Sequence, residues 1–255
     1  MSVLEAREVG FAYRGAAPVL RDVSVAVSGG RSLALVGESG AGKTTLLRLL
    51  LGLARPTTGQ ILFDGRALAP TRDREFRRNV QPVFQDPYSS LDPRQRVGTS
   101  VSEPLRSLRV GLGDRVAEAL RAVGLPADSA RRYPHEFSGG QRQRIAIARA
   151  IVCEPRVLLA DEPVSALDVS TRVRVVELLA ELGRSRQLTV VMVSHDLTVV
   201  AALCQETAVI ERGRIVEQGA TAAVLGSPTH PYTRQLIDSV PRLSRTAGRA
   251  IGDLP

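Results

Sequence analysis

A glycine-rich stretch has the residue types and spacing of a loop that wraps a polyphosphate. Residues 37–44 fit the pattern G-x-x-x-x-G-K-S/T and lie between an apolar run typical of a buried strand and a leucine-rich run typical of a helix. Glycines let backbone N–H groups approach phosphate oxygens, Lys43 can neutralise β- and γ-phosphate charge, and the Thr44 hydroxyl suits a Mg²⁺ ligand. The spacing therefore predicts a nucleotide site formed by Gly37, Glu38, Ser39, Gly40, Ala41, Gly42, Lys43, Thr44 and the adjoining Thr45.

Two carboxylates end a second apolar run. Asp161 and Glu162 follow Val157–Ala160, which is typical of a buried strand. Because ligands gather at the carboxyl ends of parallel strands, we expect both acids beside the glycine-rich loop. There the first suits the Mg²⁺ shell, and the second can polarise an attacking water. Taken alone, the pair also fits two solvated side chains that end a strand.

A Ser-Gly-Gly-Gln tetrad, Ser138–Gln141, opens a predicted helix upstream of the two carboxylates. Ser138 is a predicted N-cap, and Gly139 and Gly140 allow the close approach of another backbone. Taken alone, the tetrad fits an ordinary capped helix start.

Strands and helices alternate along the chain, which predicts a mainly parallel sheet covered on both faces, with a helical block from about residue 97 to 152. The predicted strands are Val19–Val27, Leu33–Val36, Gln60–Phe63, Val80–Phe84, Arg156–Ala160, Leu188–Val193, Ala208–Glu211 and Ile215–Glu217. The predicted helices are Gly42–Leu53, Val97–Leu108, Gly113–Gly124, Ser138–Cys153, Val169–Arg184 and Leu197–Cys204. Near the end of the chain, Tyr232, Leu236 and Val240 recur every four residues and predict an amphipathic helix that packs on the core.

The composition excludes several classes of protein. With 255 residues, 44% hydrophobic and 24% charged, the chain is expected to form one large globular domain or two small ones. The net charge is +8, but 33 of the 34 basic residues are arginines spread along the chain, so no direct contact with nucleic acid is expected. Cys153 and Cys204 predict neither a disulfide framework nor a metal cluster. Without a signal pattern or a long apolar run, the chain is expected neither to be secreted nor to span a membrane.

In their order and spacing, these motifs resemble those of the nucleotide-binding subunits of ATP-binding cassette transporters, and the resemblance covers essentially the whole chain. Phe137–Gln141 resembles the family signature, with phenylalanine in place of the usual leucine. Ser165–Asp168 resembles the D-loop. The resemblance implies two cassettes packed head to tail, each ATP lying between the phosphate loop of one and the signature of the other.

The resemblance also implies roles for single residues. Glu162 resembles the catalytic carboxylate, His195 the switch histidine near the γ-phosphate, and Gln85 the glutamine that senses Mg²⁺ and the membrane subunits. Mg²⁺ is expected at Thr44, Gln85 and Asp161. The residues expected to contact ATP are Tyr13, which would stack on adenine, the residues of the phosphate loop, Ser138, Gly139, Gly140, Gln141 and Asp168.

The implied fold class is α/β: a P-loop NTPase core of the RecA-like type with a mainly parallel sheet, an N-terminal antiparallel β subdomain and an inserted α-helical subdomain. The expected ABC ATPase domain covers residues 1–226, with core parts 1–85 and 154–226 and the helical insertion at about 86–153. Residues 227–255 are expected to be a C-terminal extension of the oligopeptide/dipeptide transporter type.

Two further stretches, Val83–Arg94 and Ser227–Thr233, resemble the importer branch for oligopeptides, dipeptides and nickel. The expected partners are a second cassette, identical or related, two membrane permease subunits and, indirectly, a substrate-binding protein. The expected location is peripheral, at the cytoplasmic face of the inner membrane. The alternative is an ABC ATPase that serves a soluble complex such as carbon–phosphorus lyase.

Some polar residues are expected to have structural roles. His135 and His230 are predicted to cap or pack rather than to bind metal. Arg142, Arg144 and Arg149 on the signature helix are predicted to form a solvated face, with contact to a partner subunit as the alternative.

Overall fold

The computed structural model describes residues 2–68, 73–86 and 90–239. Within these ranges the strands are β1 (Ser2–Ala12), β2 (Pro18–Ser28), β3 (Leu33–Val36), β4 (Thr58–Phe63), β5 (Arg66–Ala67), β6 (Val80–Val83), β7 (Val157–Asp161), β8 (Thr189–Val193), β9 (Glu206–Glu211) and β10 (Arg214–Ala220). The helices are α1 (Lys43–Leu50), α2 (Arg74–Asn79), α3 (Val97–Ser107), α4 (Arg115–Ala122), α5 (Gly139–Ile151), α6 (Val169–Arg186), α7 (Leu197–Leu203), α8 (Thr221–Gly226) and α9 (Pro231–Asp238).

The strands form two sheets. One is antiparallel, with the order β2-β1-β4-β5, and contains the N-terminal strands. The other has the order β10-β9-β3-β8-β7-β6 and is parallel except where β10 pairs with β9. The predicted fold class, with a mainly parallel sheet and an N-terminal antiparallel unit, is confirmed.

Successive residues of the central strands face opposite sides of the parallel sheet. In β3, Leu33 and Leu35 belong to the hydrophobic cluster that the antiparallel sheet and α1 complete. Ala34 and Val36 belong to a second cluster, which the helices on the other face complete. Both faces of these strands are therefore buried, which explains why they are continuous apolar runs instead of alternating ones.

The helical block lies between β6 and β7, as predicted. It contains α3, α4 and α5 with two short 3₁₀ turns, Ala127–Arg131 and Pro134–Glu136. Helix α5 packs against both α3 and α4 and, through its buried residues, joins the cluster on the helical face of the sheet. The residue limits of the subdomains stay predictions.

The first helix is shorter than predicted. It ends at Leu50, not Leu53, because Gly52 takes a left-handed conformation with φ of 67°. The Leu53 N–H then donates to the Arg48 carbonyl at 2.9 Å, which closes a Schellman-type end. The leucine pattern does not indicate this helix end, because leucines continue in the sequence beyond it.

The last helix packs on the core, as its four-residue spacing predicts. Tyr232 in α9 is buried, Leu236 is half-buried against the helical cluster, and Val240 lies outside the described residues. His230 is the N-cap of α9, so its predicted capping role is confirmed.

Among the helices in the described ranges, none has both the length and the apolar content needed to cross a bilayer.

Candidate nucleotide site

The glycine-rich loop joins β3 to α1, and its backbone requires glycine at two points. Gly37 has φ of 150°, and a Cβ there would lie 2.2 Å from the Ile210 carbonyl oxygen. Gly42 has φ of 107°, and a Cβ there would lie 2.7 Å from a methyl carbon of Leu20. The loop can therefore wrap closely around a ligand while the start of α1 directs free N–H groups into it.

Lys43 is the basic group of this loop, and it is buried. Its Nζ donates to the carbonyl oxygens of Gly37 at 2.8 Å and Glu38 at 2.7 Å. Burial lowers the pKa of the ammonium group, although the nearby carboxylates of Glu162 and Asp161 oppose that shift. A phosphate would give this buried cation the anionic partner that favours its charged form, so the loop fits a polyphosphate.

Thr44 and Asp161 place two oxygen ligands side by side. The Thr44 hydroxyl donates to the Asp161 carboxylate at 3.2 Å. Burial raises the pKa of Asp161, although the hydrogen bond from Thr44 and the nearby cations of Arg48 and Lys43 oppose that shift. In the described ranges no group of three or more His, Cys, Asp or Glu side chains could hold a metal. The Thr44 hydroxyl and the Asp161 carboxylate fit Mg²⁺, which takes one or two protein oxygens and completes its shell with phosphate and water.

Glu162, Gln85 and His195 follow three adjacent strands of the parallel sheet, β7, β6 and β8. Gln85 Nε2 donates to Glu162 Oε2 at 3.2 Å, and His195 Nδ1 lies 3.1 Å from Glu162 Oε1. The pairing of Asp161 with Val193 puts the ends of β7 and β8 level, and the Glu162 N–H donates to the Val193 carbonyl at 3.0 Å. The sheet thus gathers three side chains that are far apart in sequence.

These three side chains share one cavity of about 720 Å³ with the phosphate loop. The lining includes Lys43, Thr44 and Thr45 together with Gln85, Glu162 and His195. Tyr13 lies outside this lining; it is 45% exposed, packs edge-on against Phe11 and has its hydroxyl 3.4 Å from Thr45 Oγ1. The expected nucleotide residues of the loop and the expected catalytic residues therefore meet at one place.

The signature residues form a separate group. Ser138 Oγ accepts from the Gln141 N–H at 3.3 Å, and Gln141 Oε1 accepts from the Ser138 N–H at 3.0 Å. The two bonds close a capping box at the start of α5 and confirm the predicted N-cap. Neither these two residues nor Gly139 and Gly140 line the cavity of the phosphate loop.

Asp168 lies at the start of α6, next to the signature residues at the start of α5. It caps α6 by accepting from the Thr171 N–H at 3.0 Å and from the Ser170 hydroxyl at 2.8 Å, and these hydrogen bonds lower its pKa to about 2. A Cβ at Gly140 would lie 2.2 Å from Thr171 Cγ2, so the starts of α5 and α6 touch. Phe137 is buried, which anchors the chain just before the signature helix.

The predicted solvated face of arginines on α5 is wrong. Arg142, Arg144 and Arg149 are all half-buried. Arg142 donates to the Pro134 carbonyl at 2.8 Å, and Arg149 donates to the Ser90 carbonyl. Because Ser90 lies in the segment after Gln85, Arg149 links that segment to the signature helix.

Sequence reasoning missed two residues around the site. Arg172 donates to Asp196 at 2.9 Å and to the Leu167 carbonyl at 3.3 Å, so it ties the segment that resembles the D-loop to the segment after His195. Tyr232 accepts a hydrogen bond from the Glu38 N–H at 2.8 Å. No local pattern could have singled out Arg172 among 33 arginines, and the four-residue spacing that identified Tyr232 as a packing residue carries no sign of its contact with the phosphate loop.

A parallel sheet with a phosphate loop at the end of one strand, and carboxylates at the end of another, defines a P-loop nucleotide-binding protein. Residues 20–165 match the family description "ABC transporter", and residues 216–254 match "Oligopeptide/dipeptide transporter, C-terminal region". The chain belongs to the ABC transporter family.

Relatives in sequence and in structure agree with this assignment. The chain is 45% identical to a putative peptide import ATP-binding protein of Brucella abortus over 97% of this chain and 78% of that protein. It is 50% identical to the glutathione import ATP-binding protein GsiA of Salmonella typhimurium over 83% of this chain and 35% of that protein.

Two solved structures extend the likeness to three dimensions. The protein cbiO1 of Clostridium perfringens, part of the ABC transporter complex cbiONQ, has a TM-score of 0.78 and 29% identity over 89% of this chain and 91% of that one. A dimeric ATP-binding cassette in a post-hydrolysis state with ADP and phosphate has a TM-score of 0.73 and 27% identity over 86% of this chain and 98% of that one. The chain is a nucleotide-binding ATPase subunit of an ABC transporter.

Proposed function

We propose that this chain powers the import of peptides, hydrolysing MgATP at the cytoplasmic face of the inner membrane as part of a pair of cassettes. The convergence of Gln85, Glu162 and His195 on the cavity that contains Lys43 carries the proposal for ATP hydrolysis. The match of residues 216–254 to the oligopeptide/dipeptide transporter region supports peptides as cargo. The names of the two sequence relatives support it as well.

Glu162 is the residue we assign to the attacking water. Its carboxylate orients the water and accepts its proton while the water oxygen bonds to the γ-phosphorus and the bond to the β-phosphate oxygen breaks. Gln85 and His195 hold the two carboxylate oxygens, which fixes the direction of the base. Thr44, Asp161 and Gln85 would hold Mg²⁺, which neutralises charge on the phosphates.

The position of the signature supports a second cassette as partner. Ser138 and the start of α5 form an anion-binding helix end that lies outside the cavity of its own chain. Next to it, α6 exposes two apolar side chains one turn apart, Val169 at 75% and Val173 at 50%. A partner that brought its own phosphate loop to this surface would bury the valines and place ATP between the two chains. Loss of the γ-phosphate would then open the pair.

Uptake and co-purification test the proposed cargo and partners. Cells that lack this chain should lose uptake of a radiolabelled peptide, and the native chain should restore it, whereas Glu162→Gln should not. The tagged chain, purified from detergent-solubilised membranes, should carry two permease subunits with it. Unchanged peptide uptake without the chain would contradict the cargo, and capture of soluble proteins in place of permeases would contradict the transport role.

A further inference from the structure

The C-terminal segment Pro228–Ser239 contacts the phosphate loop directly. The hydroxyl of Tyr232, a buried residue, accepts from the Glu38 N–H at 2.8 Å, across 194 residues of sequence. Leu236 and Ser239, farther along the same segment, line the cavity that contains the loop. One wall of the nucleotide cavity therefore comes from a part of the chain that the phosphate-loop motif does not include.

The peptide group that donates to the Tyr232 hydroxyl also holds Lys43. The Gly37 carbonyl accepts from Lys43 Nζ at 2.8 Å, and the N–H of the same peptide group is the one that Tyr232 holds. The carbonyl and N–H of a trans peptide point in opposite directions, so fixing one end fixes the other. Gly37 has the backbone freedom of glycine, so a second restraint on this peptide limits its rotation.

The segment that carries Tyr232 is itself tied down to β10. The Glu217 carboxylate accepts from the Thr229 N–H at 2.8 Å, the Thr229 hydroxyl at 3.0 Å and the His230 N–H at 3.1 Å. His230 Nδ1 in turn accepts from the Tyr232 N–H at 3.3 Å. The Arg234 guanidinium donates to two backbone carbonyls at the start of the same segment. These bonds leave Tyr232 little freedom to withdraw from Glu38.

We propose that Tyr232 is a positioning residue for ATP binding, which acts through the Gly37–Glu38 peptide to hold the Lys43 ammonium where the phosphates enter. A group that is held in place before the ligand arrives loses less conformational freedom on binding, and this raises affinity. The inference rests on the nucleotide site and not on the cargo. A failure of peptide uptake would therefore leave it standing.

Tyr232→Phe removes the hydroxyl and keeps the ring. We expect the dissociation constant for MgATP, measured by calorimetry, to rise about threefold to tenfold, because binding must then order a loop and a lysine side chain that the native chain holds in place beforehand. The KM for ATP should rise by a similar factor while kcat changes less than twofold. Gln235→Ala, an exposed substitution on the same helix, is the matched control and should bind ATP as the native chain does.

A double variant tests whether Tyr232 affects ATP binding through Lys43. In a Lys43→Ala background, measured with a fluorescent ATP derivative, Tyr232→Phe should have no further effect, because its target is gone. The proposal is overturned if Tyr232→Phe binds MgATP as tightly as the native chain, or if the same loss persists without Lys43. Glu217→Gln, which loosens the same segment, should show a smaller loss of affinity and provides the test if Tyr232→Phe unfolds.

Discussion

Glu162 illustrates how much of the site depends on single backbone conformations. It has φ of 45°, a left-handed value that costs a non-glycine residue about 1–3 kcal/mol. Its N–H is nevertheless held by β8, and its two carboxylate oxygens by Gln85 and His195. With this turn, the carboxylate lies between Gln85, which follows β6, and His195, which follows β8. The sequence identified the residue, but nothing in the motif indicated this turn.

Glu162→Gln keeps the size and the hydrogen-bonding reach of the side chain but removes its ability to accept a proton. We expect phosphate release to fall about 10²–10⁴-fold, the usual contribution of a general base. ATP affinity should change less than twofold, since Lys43 and the loop stay intact. The exposed Glu177→Gln is the control and should hydrolyse ATP at the native rate. Undiminished turnover in Glu162→Gln would refute the assignment.

Several of the elements could be predicted because they carry local signals. Strands β3, β7 and β8 are short apolar runs, and α5 begins at a Ser-Gly-Gly-Gln capping box. Others lack such signals. The register between β1 and β2 shifts four times, so the apolar residues of β1 do not alternate evenly along the strand. Helix α2 has six residues, too few for a periodic pattern to be recognised.

The contact between α5 and α6 depends on Gly140. An added Cβ would lie 2.2 Å from Thr171 Cγ2, whereas one at the neighbouring Gly139 would meet nothing within 4 Å. Gly140→Ala should therefore lower the free energy of unfolding by about 1–3 kcal/mol through overpacking. Gly139→Ala, the matched control, should leave it unchanged or raise it by up to about 1 kcal/mol through helix propensity. Urea denaturation measures both, and equal stability of the two variants would contradict the predicted contact.

The attachment of the C-terminal segment to β10 should depend on pH. Burial raises the pKa of Glu217, but the N–H and hydroxyl donors around it outweigh this and lower the pKa to about 2. Because the folded pKa lies below the unfolded value, the carboxylate stabilises the protein above the unfolded pKa, and that contribution is lost as the pH falls toward 2. The stability gap between the native chain and Glu217→Gln, measured by urea denaturation, should narrow from pH 6 to pH 3. A gap that is constant over this range would contradict the prediction.

At the scale of the whole molecule, the sequence predicted the class of fold and the position of the two carboxylates beside the phosphate loop, but not the order of the strands. The alternation of strands and helices predicts a parallel sheet, yet the strand order β10-β9-β3-β8-β7-β6 has no local signal. The contact of Tyr232 with Glu38 spans 194 residues, and only the folded chain reveals it. More of the site residues were predicted from the resemblance to the transporter cassettes than from the residue patterns, because each of the short motifs is ambiguous alone.

The head-to-tail arrangement can be tested by crosslinking. Ser39→Cys and Gly139→Cys in one chain, with Glu162→Gln to prevent turnover, should form a disulfide between molecules when ATP is added and not with ADP. Burial raises the pKa of the native Cys153 to about 11 and of Cys204 to about 12, so the added thiols react first. Each single cysteine variant is the control and should stay monomeric on a non-reducing gel. Equal crosslinking with and without ATP would contradict the arrangement.

The chain contains a single lysine, and that lysine is Lys43. Apart from the α-amino group, every amine-directed chemistry, from acetylation to isopeptide attachment, has one target, and that target lies inside the nucleotide cavity. A modification of the lysine side chain would therefore disable the ATPase. ATP would block this modification. The modified fraction of Lys43, measured by mass spectrometry of a cell extract, would therefore report the fraction of cassettes without nucleotide.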